Sequence, residues 1–124
     1  CFYIQCTEPF RPKNILKKCY DEMMEHDCDS AFAASVIHKN FYSIINKKLH
    51  LLNSKLDLRQ PRQKKRPLYR EDTGIGMATM PKNIKNDKRL GKNKRPVVYD
   101  HIGQLIDIHT ENDLKLAELV YKNY

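Results

Sequence analysis

Ile106-Asp107-Ile108-His109 runs directly into Thr110-Glu111-Asn112-Asp113, and this junction decides how the chain reads. Apolar residues alternating about Asp107 predict a strand over Gln104 to Ile108. Thr110 is placed to cap a following helix, with Asp113 in its first turn and Leu114, Leu116, Ala117, Leu119, Val120 and Tyr121 behind it. A strand that ends on a carboxylate and turns into a helix belongs to an open α/β sheet. In such sheets ligands gather at the carboxyl ends of strands, so Asp107 is expected where a divalent cation and a phosphate meet.

Upstream, Cys1 to Cys6 predicts a buried strand closed by Glu8-Pro9. Pro12 precedes a helix in which Ile15, Leu16, Cys19, Tyr20, Met23 and Met24 recur at three- and four-residue steps, ending near Asp27. Ala31 to Ile37 predicts a central strand whose small residues suit a closely packed helix. Phe41 to Ile45 and Leu49 to Leu52 flank Asn46-Lys47-Lys48 as a hairpin. From Asn53 to Glu71 the chain is polar, basic and broken by Pro61 and Pro67, which predicts an irregular excursion. Gly74 to Met80 predicts a strand, Pro81 to Asn86 a short helix and Val97-Val98-Tyr99 another strand, with a turn at His101-Ile102-Gly103. The whole is expected to be one domain, 1–124, with 41–71 as hairpin and excursion.

The 124 residues carry 23 Lys and Arg against 15 Asp and Glu, a formal net charge of +8 that favours anionic partners. Much of it is clustered, at Arg62, Lys64, Lys65 and Arg66 and again at Lys82, Lys85, Lys88, Arg89, Lys92, Lys94 and Arg95. Such clusters suit a nucleic-acid backbone, or equally an anionic sugar and a triphosphate. Aromatic residues are not interleaved with them as a stacking platform would require, which disfavours nucleic acid. Cysteines at 1, 6, 19 and 28 lack zinc spacing, and with no secretory signal they read as reduced thiols in a cytoplasmic protein, Cys6 and Cys19 packing as small apolar groups. No stretch is apolar enough to span a membrane. No Ser-His-Asp or Cys-His arrangement follows from spacing.

Three blocks, in order, resemble the CMP-sugar synthetases, which activate sialic acid and related acidic sugars with CTP. Phe2-Tyr3-Ile4-Gln5-Cys6-Thr7-Glu8-Pro9-Phe10-Arg11 resembles that family's Leu-Gln-Pro-Thr-Ser-Pro-Leu-Arg strand and loop. Gln60-Pro61-Arg62-Gln63 and Leu68-Tyr69-Arg70-Glu71-Asp72-Thr73-Gly74-Ile75 resemble its Pro-Arg-Gln and Tyr-x-Glu-Asn-Gly-Ala-Ile stretches. The Asp107 segment resembles its Ser-Ile-Asp-Ile-Asp-Thr-x-x-Asp-Leu, and Arg89-Leu90-Gly91 an Arg-x-Gly found before the last strands.

The resemblance implies a partial Rossmann-like nucleotidyltransferase sheet, mixed and mostly parallel, flanked by helices, with a protruding hairpin that forms a homodimer contact. It implies transfer of CMP from CTP to an acidic sugar, with Asp107 as catalytic residue and cation ligand and Mg²⁺, or Mn²⁺, as cofactor. His109 stands where the family has a second Asp; imidazole suits Mn²⁺ better than Mg²⁺. Gln5, Thr7, Arg11, Arg62, Gln63, Arg70 and Glu71 would bind the substrate, Arg62 by forking onto a carboxylate. The family's Ala-Arg-x-Gly-Ser-Lys nucleotide loop has no counterpart here, so the resemblance covers the C-terminal half of a typical member and implies a fragment, weak or inactive alone. The alternative is a non-catalytic basic module that binds an anionic partner such as nucleic acid.

Overall fold

The computed structural model describes residues 1–53 and 60–123. They form a mixed α/β protein with β1 (Phe2–Tyr3), α1 (Ile15–Glu25), β2 (Ser30–Ile37), β3 (Tyr42–Ile45), β4 (Lys48–Leu51), β5 (Leu68–Glu71), β6 (Met77–Thr79), α2 (Pro81–Lys85), β7 (Lys94–Val98) and α3 (Glu111–Asn123). Two compact units are distinguishable, Cys1–Ser35 with Glu71–Tyr124, and Val36–Arg70.

In the first unit β2 takes a strand on each edge. Ser30 and Ala31 face Thr79 and Ala78 of β6 in antiparallel register. The same two residues face Lys94 and Arg95 of β7 in parallel register. β1 pairs β6 antiparallel, Phe2 opposite Ala78 and Tyr3 opposite Met77. β1, β2 and β7 therefore run one way and β6 against them. β5, which leaves the second unit, pairs β2, which enters it.

Helix α1 covers this sheet with a single stripe, Ile15, Cys19 and Met23, spaced four residues apart and buried. Leu16 packs beside the stripe, whereas Tyr20 and Met24, expected on it, are exposed. The helix stops because Asp27 adopts a left-handed φ of 47° and the Cys28 N–H turns back to the Met23 carbonyl at 3.0 Å. α2 ends the same way, through Asp87 at φ 55° and Lys88 N–H on Asn83 O, and begins at Pro81, whose fixed φ suits a first helical turn. The core joins the α1 stripe to Cys28, Ala31, Ala33, Ile75, Ala78 and Tyr99. Ala31 and Ala33 are fully buried, so their small size sets how closely α1 approaches.

The second unit contains the expected hairpin. β3 and β4 are antiparallel, Tyr42 opposite Leu51 and Ile45 opposite Lys48. Asn46 and Lys47 both take positive φ, the two-residue turn whose twist matches paired strands.

Several expectations are corrected. Cys1 to Cys6 is not a buried strand: β1 is two residues long, Phe2 and Ile4 are exposed, and so is Cys6, which does not pack as an apolar group. Cys19 is buried as expected. Part of the irregular excursion, 54–59, lies outside the described residues, and its end is strand β5 rather than loop. Gln104 to Ile108 is not a strand. Ile102–Leu105 closes into a 3-10 turn, and the extended residues beyond it join no sheet ladder. Among the described residues no helix is long and apolar enough to cross a membrane.

Ile75 has no exposed surface and lies between α1 and the sheet. Ile75→Ala should destabilise the protein by about 2–5 kcal/mol, read as a lower urea midpoint with little change in slope.

Candidate functional site

The loop that follows β1 is the meeting point of residues far apart in sequence. Gln5 N–H donates to the Gly74 carbonyl at 2.9 Å, which ties the opening block to the Tyr69–Ile75 block. Ile108 N–H donates to the Thr7 carbonyl at 2.8 Å, which ties it to the Asp107 block. Arg11 closes the loop on itself by donating from Nη2 to the Gln5 carbonyl. Two glycines make these approaches possible. At Gly74 a β-carbon would collide with the Glu8 carboxylate and stand 2.6 Å from Gln5 Oε1. At Gly103 it would collide with the Phe10 carbonyl oxygen.

Gly103 also explains why the Asp107 segment is no strand. With the 102–105 turn pressed against Phe10, Ile106 N–H folds back to Gly103 O at 3.2 Å, and only Ile108 reaches a neighbour, in a loop. Asp107 thus leaves a docked extended segment, not the end of a sheet strand. Ile106 is buried beneath it. Asp107 and His109 are both exposed and pair with each other, Oδ2 to Nε2 at 2.9 Å.

No group of three or more His, Cys, Asp or Glu among the described residues is arranged to hold a metal ion. Mg²⁺ is commonly held by one or two carboxylates, with substrate phosphates and water completing the shell. Asp107 offers one exposed carboxylate, paired with His109, which would be at most the protein's share of a cation held otherwise by substrate and water, not a closed cage.

The segment is anchored on its far side by a reciprocal cap. Thr110 Oγ1 accepts from Asp113 N–H at 3.2 Å, while Asp113 Oδ2 accepts from Thr110 N–H and Oγ1–H, each at 2.8 Å, and from His109 N–H at 3.1 Å. The Thr110 hydroxyl first, then the two backbone N–H groups, hold the Asp113 carboxyl below its ordinary range.

Gln5, Thr7, Arg11, Glu71, Asp107 and His109 all belong to the first unit. The backbone ties Thr7 to the Asp107 segment and Gln5 to Gly74, and Arg11 joins the same loop through the Gln5 carbonyl, while Glu71 is exposed at the end of β5 beside buried Asp72, which accepts from Tyr99 Oη at 3.0 Å. Arg62, Gln63 and Arg70 belong to the second unit. Arg62 and Gln63 are exposed on a 3-10 turn, and Arg62 lines a cavity of about 150 Å³ with His38 and Lys39. Arg70 borders an apolar groove of about 400 Å³ formed with Ile37, Phe41, Leu52, Leu68 and Tyr69.

Tyr3, Glu8 and Arg89 also gather at the first-unit site, though sequence reasoning assigned them no role. Tyr3 Oη accepts from Gln5 Nε2 at 2.9 Å and from Arg89 Nη1 at 3.0 Å. The two-residue spacing of Tyr3 and Gln5 in a stretch that reads as a strand was a usable signal, although β1 itself ends at Tyr3. Arg89, 86 residues away from Tyr3, stood out in sequence only within the basic cluster and the Arg-x-Gly resemblance, neither of which pairs it with Tyr3. No protein-family model matches the chain, and no curated protein matches it.

Gly103→Ala should shift the Phe10 backbone and cost about 1–3 kcal/mol of stability, and it should weaken amide-exchange protection at Ile108 before protection in β2. Acid should loosen the α3 cap. Because the folded Asp113 pKa is depressed, its contribution is full above the unfolded carboxylate value, about 3.9, and is lost as pH falls through the lower folded value. Thr110 and His109 amide resonances should follow that transition, and Asp113→Asn should abolish it.

Proposed function

We infer that the first unit carries an acidic-sugar site of the CMP-sugar cytidylyltransferase type. The observation that carries this reading is the pair of backbone bonds, Gln5 N–H to Gly74 O and Ile108 N–H to Thr7 O, by which three separated sequence blocks that resemble one family converge on one loop. The sheet is mixed: β2 pairs β7 in parallel, while β6 runs antiparallel to both β1 and β2, so the expected mostly parallel pairing is met at β2–β7 and not at β6.

In this reading Gln5 and the Thr7 loop meet the acidic sugar, Arg11 holds the loop through the Gln5 carbonyl, and Asp107 faces the phosphates. Transfer of this type is an in-line attack by a sugar hydroxyl on the α-phosphate of CTP, with pyrophosphate leaving; with no counterpart of the family's nucleotide loop, this chain alone is expected to be weak or inactive. Mg²⁺, when bound, would neutralise phosphate charge between Asp107 and the nucleotide. Glu71 is a further substrate-binding residue of the reading in this unit; Arg62, Gln63 and Arg70, in the second unit, are substrate-binding by the resemblance alone. The exposed apolar side chains of the hairpin, Tyr42, Ile44, Ile45 and Leu49, support a homodimer contact there.

The test is thermal stabilisation by sialic acid and an eight-carbon acidic sugar, with and without CTP and Mg²⁺, at low and high salt. A saturating selective ligand at one hundred times its Kd should add about 2.7 kcal/mol, insensitive to salt, and Gln5→Ala should remove the effect. Stabilisation by any polyanion, lost in high salt, would instead make the protein a basic binding module.

A further inference from the structure

Gln5 is restrained at three points. Its N–H is fixed to Gly74, its carbonyl accepts from Arg11, and its side-chain amide rests on the Tyr3 phenol. The third restraint depends on a residue from the other end of the unit. Arg89, in the segment between α2 and β7, donates to Tyr3 Oη and holds its guanidinium carbon 5.2 Å from the centre of the Tyr3 ring. A guanidinium only donates, so the phenol oxygen must accept from it. One lone pair then remains for Gln5 Nε2, and the cation over the ring limits the positions that oxygen takes.

The segment bearing Arg89 is itself anchored. Gly91 N–H donates to Ser30 Oγ at 3.0 Å, and Lys82 pairs with Asp29 at 2.7 Å, so both flanks of Arg89 are tied to the start of β2. The Tyr3 contact is thus made from a fixed base rather than by a free side chain.

We propose that Arg89 and Tyr3 are positioning residues for Gln5: Arg89 fixes the Tyr3 phenol, and the phenol fixes the side-chain amide that meets the acidic sugar. The proposal rests on the sugar-site reading above and adds a residue to it. Arg89 is exposed, so replacing it changes little buried surface. Its effect travels through Tyr3, which distinguishes it from a cation that merely attracts anions.

The experiment follows the Gln5 side-chain NH₂ resonances of the full chain by NMR, beside sialic acid affinity, in Arg89→Met, Tyr3→Phe and the double variant. Both single variants should move the NH₂ pair and weaken sialic acid binding about tenfold, with the melting temperature unchanged and the double variant no weaker than Tyr3→Phe alone. An NH₂ pair unmoved by Arg89→Met would overturn the proposal. So would an equal loss of affinity for inorganic phosphate, which marks a plain charge effect. If the NH₂ pair responds but even the wild-type chain ignores sialic acid, the Arg89–Tyr3–Gln5 tie stands and the sugar reading falls.

Discussion

Everything in the first unit hangs on β2. Ser30 and Ala31 are hydrogen-bonded on both edges, to β6 and to β7, and Ser30, Ala31, Ala33 and Ala34 have no exposed surface. A strand pinned on both sides and packed by a helix leaves room only for small side chains. Its start also organises polar contacts. Asp29 receives Lys82 and Asn93, Ser30 receives Gly91, and Asn83 donates both to the Asp29 carbonyl and to Thr79. Lys82 and the Asn93 N–H hold the Asp29 carboxyl below its ordinary range. The same strand therefore sets the core on one side and the loop bearing Arg89 on the other.

Elements with a strong local signal were legible. The α1 stripe, the small-residue strand, the Asn46-Lys47 turn, Pro81 at a helix start and the Thr110–Asp113 cap are each decided within a few residues. Elements decided by distant partners were not. Ile106 and Ile108 have strand periodicity, yet the contact of Gly103 with Phe10, more than ninety positions earlier in the chain, makes a turn and a loop-docked segment of them. β5 was hidden because Tyr69, Arg70 and Glu71 are exposed, so nothing in their polarity marks a strand whose stability comes from pairing with β2. Cys1 to Cys6 is apolar enough for burial but lies at an edge, where half of such side chains face outward.

The site divides along the same line. Gln5, Thr7 and Asp107 carry their signal in motif-like neighbours, and the fold bonds Gln5 to Gly74 and Thr7 to Ile108, the residue after Asp107. Tyr3 is two residues from Gln5, whereas Arg89 reaches Tyr3 only through the fold. Glu8 is buried against Gly74, at a position where the resembling family has Ser, so this chain brings a carboxyl to the middle of the loop. The resulting site has more polar restraint on Gln5 than the opening motif alone would suggest.

The distribution of thiols has a practical consequence. Cys19 and Cys28 are buried, and burial pushes the Cys19 thiol up to about 12, so it is almost wholly protonated and unreactive at neutral pH. Cys1 and Cys6 are exposed, and Cys6 stands between Gln5 and Thr7. The chain therefore carries a built-in alkylation contrast: a maleimide should label Cys1 and Cys6 in the folded protein and reach Cys19 and Cys28 only as the core opens.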